Sequence, residues 1–278
     1  MATLLALLSS VSWGSSDFLG GQASRKYPVF FVVLASQVFG LALMLVIATA
    51  TAAWGTSTDY LPWAVLASVS GFTGIGLFYA AMASGSVGVV SPITSLGSLG
   101  PIVLGLFTGD TPTTLQYAGL LAALVGVVLA SGPELSGETG ARSVVLALCA
   151  TVLFGVCLIG IAFGSKTSAV MTMTGMRVST VLIMSAIALV ALARGRRVHL
   201  SRRRDLGVLA AVGLLDVSAN LLFGIASTAG MLALVSVLGS LYPVVTVLLA
   251  WRFLHERLEP IQYLGVGLAL GGVAAIVA

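Results

Sequence analysis

The sequence predicts an all-α membrane protein whose ten transmembrane helices form two inverted five-helix repeats. Three observations carry that prediction. Apolar residues make up 58% of the 278-residue chain and charged residues 8%, against roughly 25% charge in a soluble domain. The chain divides into ten apolar stretches, each close to the ~20 residues a helix needs to cross the hydrocarbon layer. A six-residue phrase, LGSLGP at 96–101, also returns as LGSLYP at 238–243, 142 positions later.

In chain order the expected spans are approximately 3–23, 29–53, 61–83, 87–108, 114–131, 143–163, 168–193, 206–227, 230–251 and 261–278. The first begins without a Lys or Arg ahead of its apolar run (MATLLALLSS), so it reads as a permanent helix and not a cleaved signal. Breaks carry turn formers or charge: SRKYP at 24–28, TGDTPT at 108–113, SGPELSGETGAR at 131–142 and RGRRVHLSRRRD at 194–205.

The repeat runs through all five helices of each half, residues 1–136 and 137–278. LLALLSSVSWG (4–14) lines up with VLALCATVLFG (145–155) at an offset of 141. SGFTG (70–74) meets VGLLD (212–216) at 142, and LQYAGLL (115–121) matches IQYLGVG (261–267) at 146. The gap between these last blocks pairs Asp110 with Glu256. Five is odd, so the second copy enters the membrane from the opposite face. Such inverted repeats are commonly used in carriers whose site lies between the halves near the midplane.

The repeated phrase supplies candidate kinks. Pro101 and Pro243 each remove a backbone hydrogen bond within a span. Gly97 and Gly239, four residues earlier, let a neighbouring backbone approach. Gly and Pro are frequent in membrane helices generally, but matching interruptions in both halves point to the binding region.

Ionisable residues inside a span cost at least ~2.5–3.5 kcal/mol on insertion scales and call for a reason. Asp17 lies well inside the first span, on a small polar stripe with Ser10, Gly14 and Gly21, and one turn from Trp13. It reads either as a cavity carboxylate or as one hydrated near the interface beside Arg25 and Lys26. Asp216 and Asn220 share a face near the centre of the eighth span, which favours a cavity. Arg177 either pairs with an aspartate or snorkels to the interface. Tyr79 and Tyr242 each offer an aromatic face and a hydroxyl, Tyr242 directly before the kinking Pro243. The expected substrate cavity is therefore Trp13, Asp17, Tyr79, Asp216, Asn220 and Tyr242, with Asp17 and Asp216 as proton-coupling candidates. Gly267 and Gly271 stand at a spacing expected for a helix contact.

No cofactor or metal is expected. Cys149 and Cys157 lie eight residues apart in one apolar segment, and His199 and His255 have no ligand spacing. GVGLALGG at 265–272 fails the dinucleotide fingerprint. Eleven of the thirteen Lys and Arg lie on connectors after odd-numbered spans, which by the positive-inside rule places both termini outside. The basic connector at 194–205 reads as a topology determinant that favours anionic headgroups, and not as a nucleic-acid site.

Three segments carry a likeness to a known family. SWGSSDF (12–18), YAAMASGSVGVVSPITSLGSLGP (79–101) and LYPVVTVLLAWRFLHERLEPIQYLGVGLALGGVAAIVA (241–278) resemble, in order, three parts of the EamA-type branch of the drug/metabolite transporter superfamily. These are its first-helix Trp-Gly signature, its run joining helices three and four, and its ending. The resemblance spans essentially the whole chain. It implies ten helices in two repeats, alternating access, cytoplasmic termini, and export or exchange of small metabolites, without implying a substrate. Glu256 matches the family's Glu after the ninth helix. Arg177 falls where the family often has an Arg, which favours a structural ion pair or lipid contact over substrate binding. In the first half Gln37 stands opposite Arg177, and Asp110 replaces the usual Glu on a shortened connector. Asp17 and Asp216 are not general signatures and mark what is particular to this chain.

The expected function is a secondary transporter in the cytoplasmic membrane, handling a small organic metabolite between two rocking halves. An amphipathic amine or an amino acid suits the mix of Trp, Tyr, Asn and Asp. An uncoupled facilitator or a channel is the alternative. An intramembrane enzyme would need Asp17 and Asp216 as a close carboxylate dyad, and no catalytic motif surrounds either.

Overall fold

The computed structural model describes residues 1–84, 93–130, 141–194, 206–254 and 259–278, and all regular structure among them is helical. We number the helices α1 (Ala2–Ser24), α2 (Val29–Ala50), α3 (Leu61–Ser84), α4 (Leu99–Phe107) and α5 (Thr114–Ala130). The stretch Ala141–Ala193 is divided at Ser168 into α6 (141–167) and α7 (169–193). Then follow α8 (Leu206–Ala229), α9 (Leu232–Gly239), α10 (Tyr242–Leu254) and α11 (Pro260–Val277).

Among the described residues, six stretches are long and apolar enough to cross a membrane: Val29–Ala50, Thr58–Phe78, Ala141–Ala193, Leu206–Ala229, Leu232–Leu254 and Pro260–Val277. Side chains such as Val46, Leu121, Val152 and Leu189 cover the outside, as expected where the surroundings are hydrocarbon and the backbone satisfies itself within helices. Helix α1 is not among the six. Two of its serines bond across to α8: Ser9 Oγ donates to the Ala219 carbonyl at 2.8 Å and Ser16 Oγ to the Val212 carbonyl at 2.9 Å.

Two spans are interrupted where the repeated phrase lies. A 3-10 turn over Leu96–Ser98 leads into α4, and Pro101 is buried in its first turn. The expected span 230–251 is two helices, α9 ending at Gly239 and α10 starting at Tyr242, with Pro243 its second residue. In the first turn of a helix the missing proline N–H has no intrahelical partner to lose. The expected separation between the sixth and seventh spans shrinks to one residue. Ser168 takes an extended backbone (φ −165°, ψ 116°), and its Oγ accepts from Met171 N at 3.2 Å to cap the restarting helix. Residues 87–92 of the expected fourth span, and Glu256, lie outside the described residues.

Each helix of the first half packs on the second: α1 and α2 on α8, α3 on the Ala141–Ala193 stretch, α4 on α9, and α5 on α11. Small residues set the closest approaches. A Cβ built on Gly119 would lie 2.8 Å from the Gly272 carbonyl oxygen, and one on Gly126 would lie 2.7 Å from the Gly265 carbonyl oxygen. Gly119 and Gly126 are the repeat counterparts of Gly265 and Gly272, so the α5–α11 contact is reciprocal and antiparallel. The expectation for Gly267 and Gly271 is corrected here. Neither would meet anything within 4 Å, because the α5-facing side of α11 is Gly265, Ala269 and Gly272. Small-residue spacing marks a face without saying whether a helix covers it.

A second matched pair sits against the interruptions. A Cβ on Gly14 of α1 would lie 2.6 Å from the Tyr242 carbonyl oxygen, and one on its counterpart Gly155 of α6 would lie 2.9 Å from the Gly97 carbonyl oxygen. The expected stripe on α1 is thereby divided: Gly14 packs on α10 and Ser10 Oγ donates to the Leu7 carbonyl, leaving Asp17 and Gly21 with Trp13 on the open face. Between α4 and α5, Gly109 at φ +114° makes a turn that L side chains disfavour. That turn brings Asp110 Oδ2 within 2.7 Å of Ala233 N, the unsatisfied N-terminus of α9.

Gly14→Leu and Gly155→Leu should each lower the melting temperature in detergent, since overpacking costs typically about 1–3 kcal/mol. Gly267→Leu should leave it unchanged. Equal melting of all three variants would contradict this packing.

Candidate functional site

The interruptions, the α1 carboxylate and the buried cation of α7 converge on one space. A cavity of about 520 Å³ lies between the halves, walled by α1, α2, α3 and the turn before α4 on one side and α6–α10 on the other. That volume falls within the ~300–1,000 Å³ of small-molecule sites.

At its centre is a buried cation, since Arg177 on α7 is 2% exposed. Its Nη2 lies 2.9 Å from Asp216 Oδ2 on α8, and its Nη1 donates to Gln37 Oε1 on α2. The Asp216 side chain keeps 28% of its surface exposed. Asn220, one turn on, donates through Nδ2 to the Asp216 carbonyl at 2.6 Å and to Asp216 Oδ1 at 3.2 Å. The i, i+4 spacing on α8 thus aligns two polar side chains that steady each other and face the cavity. Arg177 forms the ion pair open to it in the sequence and is buried rather than extended to the outside of the bundle.

Asp17 lines the same cavity from α1 and stands differently. Among the described residues it has no hydrogen-bond or ion-pair partner. Around it are aromatic rings: Trp13 lies 5.7 Å, centroid to centroid, from buried Phe223 and 6.3 Å from Tyr242 at 70°. Tyr79 belongs to α3, but its side chain lies outside the described residues. Gly97, Gly239 and Pro243 reach the cavity wall, whereas Pro101 is buried behind it.

Several lining groups were not expected from the sequence. Gln37 and Thr180 bring α2 and α7 into the wall, and Ser68 Oγ and Thr180 Oγ1 share a hydrogen bond of 2.9 Å between α3 and α7. Phe154 lines the cavity at the position that aligns with Trp13. Ser98 and Ser236 line it with buried hydroxyls that have no hydrogen-bond partner among the described residues. The repeat alignment held the signal for Phe154, and for Gln37 as the counterpart of Arg177. No group of three His, Cys, Asp or Glu that could hold a metal occurs among the described residues.

Removing one partner of a buried ion pair leaves an uncompensated charge and typically costs about 3–5 kcal/mol. The exposed part of Asp216 puts this pair at or below the lower end of that range. Arg177→Met and Asp216→Leu should each destabilise by up to about 3 kcal/mol, and the double variant should melt closer to the parent than either single. Additive losses would show that the two side chains do not act together.

The chain can now be compared with known proteins. A crystal structure of a protein aligns over 99% of this chain and 94% of its own, with a TM-score of 0.79 at 17% identity, which establishes a shared fold. An uncharacterised protein of Methanocaldococcus jannaschii is 26% identical over 131 residues, covering 47% of this chain and 96% of that protein. A protein about the length of one half is thus similar to part of this chain. The family model for EamA-like transporters matches twice, at residues 1–132 and 141–278. With its long apolar helices the chain is a multi-pass membrane protein, and it belongs to the EamA-like transporter family.

Proposed function

We propose that this chain is a secondary transporter that exports a small organic metabolite across the cell membrane by alternating access. Its ten crossings form two inverted halves, residues 1–136 and 137–278. The observation that carries the reading is the cavity between the halves, to which both contribute side chains.

The inverted arrangement is supported by contacts between repeat counterparts. Gly119 meets Gly272 while Gly126 meets Gly265, the reciprocity of an isologous contact. The two helices involved run antiparallel, so a twofold relating them is perpendicular to both. If both cross the membrane, that axis lies in its plane. The ten crossings count α9 and α10 as one interrupted span, as with the stretch Ile93–Phe107 containing α4.

The chemistry divides the two coupling candidates. A carboxylate that carries a proton must spend part of the cycle neutral. Neutral Asp216 would leave Arg177 without its counter-ion, a costly state for a buried cation. Asp17 has no such obligation, so it is the proton carrier in a coupled cycle. The commitment of Asp216 to Arg177 also speaks against a two-carboxylate catalytic dyad.

Metabolite profiling of cells and medium, with the gene absent and overexpressed, should reveal a compound that accumulates outside with expression. Reconstituted vesicles should then show saturable counterflow of that compound. Asp17→Asn should abolish its response to a pH gradient while Asp216→Asn impairs transport with or without the gradient. Unsaturable ion current in place of counterflow would refute the carrier reading in favour of a channel.

A further inference from the structure

We propose that the cavity selects an amphipathic organic monocation, such as an aromatic amine, over an amino acid or an organic anion. The inference rests on the carrier reading and goes further by assigning the sign and placement of the ligand's charge.

Three ionisable groups of unlike sign line the cavity: Asp17, Asp216 and Arg177. One cation against two carboxylates leaves a single negative charge, and the contacts say which residue holds it. Arg177 and Asp216 are 2.9 Å apart and neutralise each other, with Gln37 on the other arm of the guanidinium. Asp17 is the unmatched charge. A ligand carboxylate finds no cation without a counter-ion among the described lining residues and would have to compete with Asp216 for Arg177, whose buried Nε has no hydrogen-bond partner among them. A ligand ammonium finds Asp17 open, one helical turn from the ring of Trp13 and with Tyr242 beside that ring. A carboxylate next to aromatic faces is the arrangement that holds an organic cation in a low-dielectric site.

The positions that the repeat matches to these two carboxylates carry no charge. The counterparts of Asp17 and Asp216 in the other half are Leu158 and Gly74, and Leu158 lines the cavity with Phe72, Phe78 and Phe154. The ligand therefore needs an apolar end as well as a charged one. A second, independent feature points to an occupant. Ser98 and Ser236, 3% and 1% exposed, line the cavity with hydroxyls that have no partner among the described residues. Leaving such groups unpaired is costly, and a polar group on the ligand would relieve it.

A matched trio tests the assignment: phenethylamine, phenylalanine and 3-phenylpropionate share a phenyl ring and differ in charge. Cys157 lines the cavity and serves as the reporter thiol once exposed Cys149 is replaced (Cys149→Ser). The readout is slowing of Cys157 alkylation in the purified full chain. Phenethylamine should protect at a concentration at least about tenfold below phenylalanine, a gap of about 1.4 kcal/mol, and 3-phenylpropionate should not protect. Asp17→Asn should erase that preference, and Asp17→Glu, which keeps the charge, should retain it. An Asp17→Asn protein that alkylates at the parental rate without ligand is folded; should it not fold, loss of preference in Asp17→Glu would by itself overturn the proposal. Equal protection by phenylalanine, a preference surviving Asp17→Asn, or no protection by any probe would each overturn it as well. These outcomes leave the carrier reading standing, since counterflow of some other solute in vesicles decides that separately.

Discussion

The structure turns on one buried cation. Arg177 sits inside an apolar bundle, where an isolated charge costs several kcal/mol even on the most lenient scales. Two other helices offset that cost, Gln37 from α2 accepting from Nη1 and Asp216 from α8 pairing with the charge, while Nε has no hydrogen-bond partner among the described residues. Gln37 belongs to the first half and Asp216 to the second, so the guanidinium is a three-way junction that spans the division between them. Neither half alone could bury it at comparable cost. Arg177, Gln37 and Asp216 all line the cavity.

Gln37 and Arg177 are counterparts in the repeat. A residue can touch its own counterpart only next to the operation that relates the two copies. The same holds for helices, and α5 with α11 is such a pair. Packing where the copies meet is limited by backbone approach, which explains the glycines. Gly119, Gly126, Gly265 and Gly272 bring α5 and α11 together at one place. Gly14 and Gly155 let α1 and α6 reach the interrupted helices at another. In lipid, where no hydrophobic drive pulls helices together, close packing of small residues and interhelical hydrogen bonds such as Ser9 to Ala219 hold the bundle.

Much of this was legible in the sequence, for identifiable reasons. Apolar stretches announce membrane helices because the bilayer imposes their length and composition, and a duplicated phrase announces a duplicated fold. Charged residues inside spans were legible for the same reason: their cost in hydrocarbon demands a partner or a cavity, so Asp17, Asp216 and Arg177 stood out. Which helix faces which was not written in one dimension. Gly267 and Gly271 have the spacing of a packing face yet lie on the outside of α11, while Gly265 and Gly272, equally small, do the packing. Gln37 is uncharged and gave no signal of cost; only its alignment with Arg177 pointed to it. Ser98 and Ser236 are ordinary serines until their surroundings leave their hydroxyls unpaired.

The repeat supplies a near-symmetric scaffold, and the chemistry breaks that symmetry. Trp13 is answered by Phe154, Ser98 by Ser240, and Pro101 by Pro243, so both walls keep aromatic, hydroxyl and hinge features in matching places. The charges are not answered: Asp17 faces Leu158, Asp216 faces Gly74, and Arg177 faces Gln37 in the alignment. Shared features at matched positions are those the proposed rocking of two halves would need in both of its end states. The charges have no matched partners: Asp17 comes from the first half, and Arg177 and Asp216 from the second. Duplication thus accounts for the matched features of the two halves, and divergence after duplication for the charges that only one position of each pair carries.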